Sequence, residues 1–442
     1  MALFLHCIAL PRFQNLQLQG AARWRGAWIA RCSLSSAAAD PGDELWERKK
    51  RSRSIAGVDQ AVLMEPWLLA DPSSRFAEYN GVQVHYKIIA RDGSPGNISA
   101  GEAGEFPAIL LHGFGASIFS WERLMQPLAK VLASTVVAFD RPGFGLTSRP
   151  RIQPSAAKEN PYSLDFSASI AAAFIDFLGA DKVILVGHSA GCIVAADTYF
   201  KAPERIAGIV MLAPAIAAPF MGKLRRRQGR ETRKEEHLER NPGSLSRARL
   251  LVKLVTSLFL GLRAVALELY SKLKRFTQSL KELVANIFAG VLAAALRSKA
   301  AIWMIQQIMD RYSREAVRFA WYNPQMVNNS IIQGYTKPLG CRNWDQALLE
   351  YVIAMLSTRD KKGRKLAEKI EEISCPVLIV TGDTDRLVPA WNAEKLAKVF
   401  PKSTFHKIKE CGHLPHEETP EEVLRVVGEF ISSSIAKVKC GE

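Results

Sequence analysis

Val183-Ile184-Leu185-Val186-Gly187-His188-Ser189-Ala190-Gly191 reads as a strand ending in a sharp turn, and Cys192-Ile193-Val194-Ala195-Ala196 continues it as a helix. Four consecutive apolar residues suit a strand covered on both faces. The turn crowds its own backbone, so positions 187 and 191 need glycine to avoid a side-chain clash. This geometry lifts the Ser189 hydroxyl off the end of the sheet, where a small molecule can reach it. Ser189 is therefore a candidate nucleophile. A serine hydroxyl is weak at neutral pH, and its activating partners must come from elsewhere in the chain.

Working outward, apolar runs alternate with longer amphipathic stretches. Strands are predicted at Ala108–Leu111, Thr135–Phe139, Val183–Val186 and Ile206–Leu212, with helices near Trp121–Leu132, Ser163–Leu178 and Ala190–Phe200. Upstream, Arg75–Tyr79 and Val82–Ile89 flank Asn80-Gly81, a pair that tolerates positive φ at both turn positions and so predicts a hairpin. The alternation stops at Ala213. It resumes with strand Val377–Val380, helix Ala390–Val399, strand Thr404–Ile408 and a helix near Pro420–Ser432. This pattern predicts an α/β fold, a mostly parallel sheet with helices on both faces, interrupted by a long helical cap before the penultimate strand. The expected segments are a transit peptide (1–39), a linker (40–73), the first part of the core (74–213), the helical cap insertion with its basic segment (214–345), the second part of the core (346–435) and a tail (436–442).

The base for a serine nucleophile is usually histidine, oriented by a buried carboxylate. After a strand–turn–helix serine, the carboxylate and then the histidine should follow in chain order. Four histidines lie beyond Ser189: His237 in a charged stretch, His406 inside a strand, and His413 and His416 just after that strand. The carboxyl ends of strands are where such sheets place their chemistry. His413, preceded by Gly412, is preferred over His416, which is expected to order the loop or line the pocket mouth. For the carboxylate, Asp385 in Gly382-Asp383-Thr384-Asp385 is preferred over Asp383, which suits a turn brace. A tetrahedral intermediate also needs backbone donors. The N–H of Ala190 and that of Phe114, in Leu111-His112-Gly113-Phe114-Gly115, are the candidates.

These motifs, in this order, resemble the α/β-hydrolase superfamily in its His-Gly-Phe-Gly esterase/lipase-like branch. The resemblance covers about residues 74–435. Asp140-Arg141-Pro142-Gly143-Phe144-Gly145 resembles that family's loop after an early strand, with Pro142 where Gly is commoner. The resemblance assigns Asp140 and Arg141 to the core rather than to chemistry. It implies a serine hydrolase acting on a carboxylic ester, on an apolar acyl or lipid-like compound, through Ser189, His413 and Asp385. Thioester and C–C bond hydrolysis use the same machinery. So does a slow-turnover ligand receptor that retains the triad, which is the alternative from a different class. Serine at the turn argues against epoxide hydrolase chemistry, for which the family uses aspartate there. Members linked to acyl transfer carry Asp five residues after the histidine, where this chain has Glu418.

Residues 1–39 contain four arginines and no acidic residue, the composition of an organelle transit peptide. A chloroplast location is expected, with the mitochondrion as the alternative, and the leader adds a resemblance to plant plastid members. Seven cysteines without close spacing argue against a disulfide framework and a zinc site. No cofactor is expected. The net charge of +16 invites an anionic partner. It concentrates between Lys223 and Arg275, where fifteen Lys/Arg face five Glu. Peripheral contact of this basic cap with an anionic membrane is one reading, and cap helices behind a solvated loop are the other. The cluster lacks interleaved aromatics, so nucleic acid is not expected as a partner.

Overall fold

The computed structural model describes residues 53–96, 103–152, 159–218, 246–357, 366 and 369–435. The expected leader, residues 40–52, the basic run around Arg225–Arg227 and the tail lie outside them. The chain divides into two compact units: residues up to Ala218 together with those from Lys299 onward, and the segment 219–298.

The larger unit begins earlier than the sequence suggests. Residues 53–73 are expected as linker, yet β1 (Ser54–Ile55) pairs antiparallel with β2 (Val58–Asp59), and Ile55 is buried in the main core. The Ala56 N–H donates to Asp310 Oδ1 at 2.8 Å, and Met64 bonds to Gly340. These ties run to residues hundreds of positions away, so no local pattern announces them.

β3 (Arg75–Tyr79) and β4 (Val82–Ile89) form the antiparallel hairpin, with Asn80 and Gly81 both at positive φ. β5 (Ala108–Leu111), β6 (Val136–Phe139), β7 (Val183–His188), β8 (Ile206–Leu212), β9 (Val377–Gly382) and β10 (Ser403–Ile408) complete an eight-stranded sheet of order β10-β9-β8-β7-β5-β6-β4-β3. The strands from β5 to β10 pair in parallel, and only the hairpin end is antiparallel. Alternate residues feed two separate cores. Ile109, Leu185 and Met211 enter one, and Leu110, Ile184 and Val210 the other. That is the period of two along a strand, with both faces covered.

Helices α1 (Glu122–Leu132), α2 (Leu164–Phe177) and α3 (Gly191–Lys201) follow β5, β6 and β7 in turn. Ser163 caps α2 by accepting the Phe166 N–H at 3.0 Å. α1 joins one core, and α2 and α3 the other. α4 (Ser246–Leu296) is a 51-residue helix that makes up the described part of the second unit. α5 (Lys299–Ala320), α6 (Asn329–Thr336), α7 (Trp344–Ser357), α8 (Ala390–Ala397), α9 (Pro415–Glu418) and α10 (Pro420–Phe430) return to the first unit.

The expected bounds of the cap insertion, 214–345, and of the second part of the core, 346–435, therefore need correction. Only 219–298 separates from the sheet unit, and the 345/346 boundary falls inside α7. Trp344, Ala347, Leu348 and Tyr351 of α7 are members of the main core. A missing strand signal marks where the sheet pauses, not where packing against it stops.

The serine turn depends on close backbone approach. A Cβ at Gly191 would lie 1.9 Å from the Leu111 carbonyl oxygen, and one at Gly187 would lie 2.8 Å from the Cys192 backbone. Gly191→Ala is expected to push α3 off β5 and to destabilise the fold by about 1–3 kcal/mol, the usual cost of overpacking. The urea unfolding midpoint measures this.

Candidate active site

Ser189 sits between β7 and α3 at φ 49°, a left-handed conformation that a serine adopts only where its surroundings impose it. Backbone bonds hold it there. Its N–H donates to Leu212 O at 2.9 Å, and its carbonyl accepts from Cys192 and Ala215. Beside it stands the turn after β5, where a Cβ on Gly113 would lie 3.2 Å from the Ser189 Cβ. Phe114 and Ala190, whose N–H groups are the candidate oxyanion donors, thus lie in the same corner as the serine.

The ends of β9 and β10 bring up the other two groups. The His413 Nδ1–H donates to Asp385 Oδ2 at 2.7 Å, and both side chains are buried. Asp385 Oδ1 accepts the N–H groups of Leu387 and Val388, each at 2.8 Å, so both carboxylate oxygens are occupied. With the proton on Nδ1, His413 Nε2 carries a lone pair. Asp383 is a brace: its carboxylate accepts the Cys411 N–H at 3.4 Å, far from the imidazole's bond. The His188 Nε2–H donates to the His413 carbonyl at 2.9 Å, which ties the residue before the serine to the histidine loop. Among the described residues, no hydrogen bond joins Ser189 Oγ to His413. In enzymes without bound substrate such bonds are often long.

Of the two roles expected for His416, ordering the loop or lining the pocket mouth, its burial rules out the second. It is fully buried, its ring 4.4 Å from that of Trp121 and 4.5 Å from that of His188. Burial drives its pKa down to about 3 and holds that of His188 well below the usual range, so both rings are neutral. His112 is also neutral, at about 3, for the same reason. Its Nδ1–H donates to Gly113 O at 2.8 Å, and its Nε2 accepts the Arg141 N–H at 3.0 Å.

Three residues carry more of the site than sequence reasoning gave them. The Arg141 side chain is fully buried, and its Nη2 donates to Gly113 O at 2.9 Å. That carbonyl shares a peptide plane with the Phe114 N–H. A guanidinium and an imidazole on the carbonyl fix the plane and polarise the N–H at its other end. Asp140 is also built in. It is held down to about 2, against its own burial, by His85 at 2.7 Å and the Leu146 N–H at 2.7 Å. Glu418, which the sequence offers only as a poor match to an acyl-transfer aspartate, is a clamp. Its carboxylate accepts the N–H groups of Gly412, Leu414 and Tyr322 at 3.0, 3.2 and 2.7 Å, bracketing His413 on both sides. The His413 N–H in turn donates to Ala320 O at 2.7 Å, so the end of α5 helps to hold the histidine loop. Of the aromatics in and beside α5 and α7, Trp321 and Trp344 are buried, Trp303 is exposed and Tyr322 is 36% exposed. Trp344 is a structural tie, its indole N–H donating to Gln60.

With this geometry in place, the comparisons are direct. The profile of the alpha/beta hydrolase family matches residues 108–426, and the chain belongs to that family. A proline iminopeptidase of Heyndrickxia coagulans is 24% identical over 332 residues, which cover 75% of this chain and 92% of that one. The abhydrolase domain-containing protein abhd-5.2 of Caenorhabditis elegans is 34% identical, but only over 110 residues, 25% of this chain and 23% of its own length. The chain thus spans about a quarter of that relative. Among solved structures, the epoxide hydrolase CorEH superposes with a TM-score of 0.52 at 17% identity, covering 81% of this chain and 98% of that one. At that identity the likeness is one of fold.

Two predictions follow from the buried charges. Arg141→Met leaves the Gly113–Phe114 peptide loosely held, and kcat for a turned-over substrate is expected to fall about 10- to 100-fold with KM nearly unchanged, less than the loss of an oxyanion donor itself. Steady-state kinetics checks the split. The second concerns Glu417, whose carboxyl bonds to the Tyr335 hydroxyl. Burial pushes its pKa up to about 8, with Glu418 adding to the rise, while Tyr335 and Arg123 oppose it. Above about pH 4.3 the unfolded chain has lost this proton while the folded state keeps it, so stability falls as pH rises towards 8. Glu417→Gln is expected to flatten that fall, read as urea midpoints at several pH values across the window.

Proposed function

We propose that this chain is a serine hydrolase that cleaves a carboxylic ester of an apolar acyl compound. The observation that carries the reading is the buried His413–Asp385 hydrogen bond, formed at the corner where Ser189 is held at positive φ. In this mechanism Ser189 Oγ attacks the acyl carbon and passes its proton to His413 Nε2. Asp385 keeps the other imidazole nitrogen protonated and stabilises the imidazolium. The oxyanion is received by the N–H groups of Phe114 and Ala190, each such donor being worth about 10²–10³ in rate. The tetrahedral intermediate collapses, the alcohol leaves with the proton from His413, and water repeats the sequence on the acyl-enzyme.

An apolar acyl group is supported by what surrounds the site. Phe114, Leu387 and Phe319 are each more than 50% exposed, although Phe114 belongs to the serine corner, Leu387 lies two residues from Asp385 and the Phe319 ring neighbours Arg386. Apolar side chains left uncovered beside polar chemistry suit an acyl chain. The acid-free residues 1–39 support a chloroplast location for the reaction.

The test combines labelling by a fluorophosphonate probe with turnover of p-nitrophenyl esters of increasing chain length. Ser189→Ala is expected to abolish labelling and to lower kcat by roughly 10⁴- to 10⁶-fold, with circular dichroism unchanged. A folded wild-type chain that neither labels nor turns over any ester would instead favour a ligand receptor on the same fold.

A further inference from the structure

α4 has a face that no described residue of its own unit covers. At about 100° per residue, the large apolar side chains from Tyr270 to Val291 fall within an arc of roughly 140°. Leu273, Phe276, Leu280, Val284, Ile287 and Val291 mark this arc, and each is between 50% and 66% exposed. Thr277 also falls within it, but its hydroxyl is satisfied by the Lys274 carbonyl at 3.0 Å. The stripe is about 32 Å long at 1.5 Å per residue. No single helix among the described residues is long and apolar enough to cross a membrane.

The charges say what kind of surface would cover this face. Arg263 and Lys274 fall at one border of the apolar arc and Lys272 at the other, while Glu268 sits on the opposite, polar face. Lys272 reaches back to Glu268 at 2.9 Å in an exposed pair, which leaves its stem along the border. Over its whole length the helix carries eight Lys or Arg and two Glu. Long cationic side chains flanking an apolar stripe lay their methylenes on the apolar surface and lift their charges to its rim. This suits the boundary between acyl chains and anionic headgroups. A second copy of the helix fits less well. Val284, Phe288 and Val291 widen the stripe beyond a narrow a/d seam, and pairing would set cationic borders against cationic borders without acidic complements.

We infer that the Tyr270–Val291 face of α4 docks the protein on the surface of an anionic lipid bilayer, the helix lying in the interfacial plane. The apolar stripe enters the acyl boundary, and Arg263, Lys272 and Lys274 meet the headgroup charge. This narrows the expected membrane contact from the basic segment at large to one face of one helix. It does not depend on the ester reading.

The experiment is co-sedimentation of the full-length chain with vesicles of phosphatidylcholine alone and of phosphatidylcholine mixed with phosphatidylglycerol. The wild type is expected to bind the mixed vesicles and to lose binding as salt rises. Leu280→Asp with Ile287→Asp is expected to reduce partitioning at least about tenfold, since charge on the buried face opposes insertion. Lys272→Gln and Lys274→Gln, which lie on the exposed border and spare the helix, are each expected to lower it about fivefold. Circular dichroism of every variant confirms that the fold survives. Binding that is equal on neutral vesicles, or that neither set of substitutions lowers, overturns the proposal. So does a change from dimer to monomer by light scattering in the aspartate variant without loss of vesicle binding, which would assign the face to a second copy.

Discussion

The site rests on one close contact between backbones: the N-terminus of α3 lies directly against the end of β5, with no room at Gly191 for even a methyl group. That approach forces the chain to reverse within a residue or two of His188. Ser189 takes up the reversal in a left-handed conformation. The same contact sets the turn after β5 beside the serine, because Leu111 is the last residue before His112 and Gly113. A candidate nucleophile and a candidate oxyanion donor are thus brought together by packing of main chain on main chain. Side-chain contacts then refine what the backbone has placed.

A second line of support reaches the corner from the antiparallel end of the sheet. His85 on β4 holds Asp140, and Asp140 also takes the N–H groups of Ile118 and Leu146. The next residue, Arg141, turns inward under the Gly113 carbonyl. A network that begins in a surface hairpin therefore ends at the peptide plane beside Ser189. Such a buried network is stable only when nearly every member is satisfied. Arg141 is held through Gly113, the Tyr351 hydroxyl at 3.3 Å and the faces of Phe144 and Tyr351, and only its Nε lacks a hydrogen-bond partner among the described residues.

The parts of this design that were legible in the sequence are those whose physics is local. A strand buried on both faces must be apolar throughout, a reversal this tight needs glycine, and an Asn-Gly pair between alternating runs makes a hairpin. Hence the sheet, its order of alternation and the positions of Ser189, Asp385 and His413 at strand ends could be read directly. What was hidden is long-range. Arg141 acts on a carbonyl 28 residues upstream, and Glu418 gathers N–H groups from both its own loop and the residue after Trp321. The packing of residues 53–73 and of α7 against the core likewise depends on partners far along the chain. Charge alone points to the whole stretch from Lys223 to Arg275, whereas the apolar face runs from Tyr270 to Val291, where periodicity and charge must be read together.

The three histidine rings at 188, 413 and 416 stand in file, with centroids 5.0 and 4.5 Å apart. Two of them are sealed from water and have nitrogens without a partner among the described residues. A row of imidazoles this close tolerates only one cation, since each added charge would repel the next in a medium of low polarity. Burial keeps His188 and His416 uncharged, so neither adds a positive charge next to the ring that Asp385 holds. The pair thus forms a neutral lining between His413 and the buried Trp121 ring, with no second charge stored in the file.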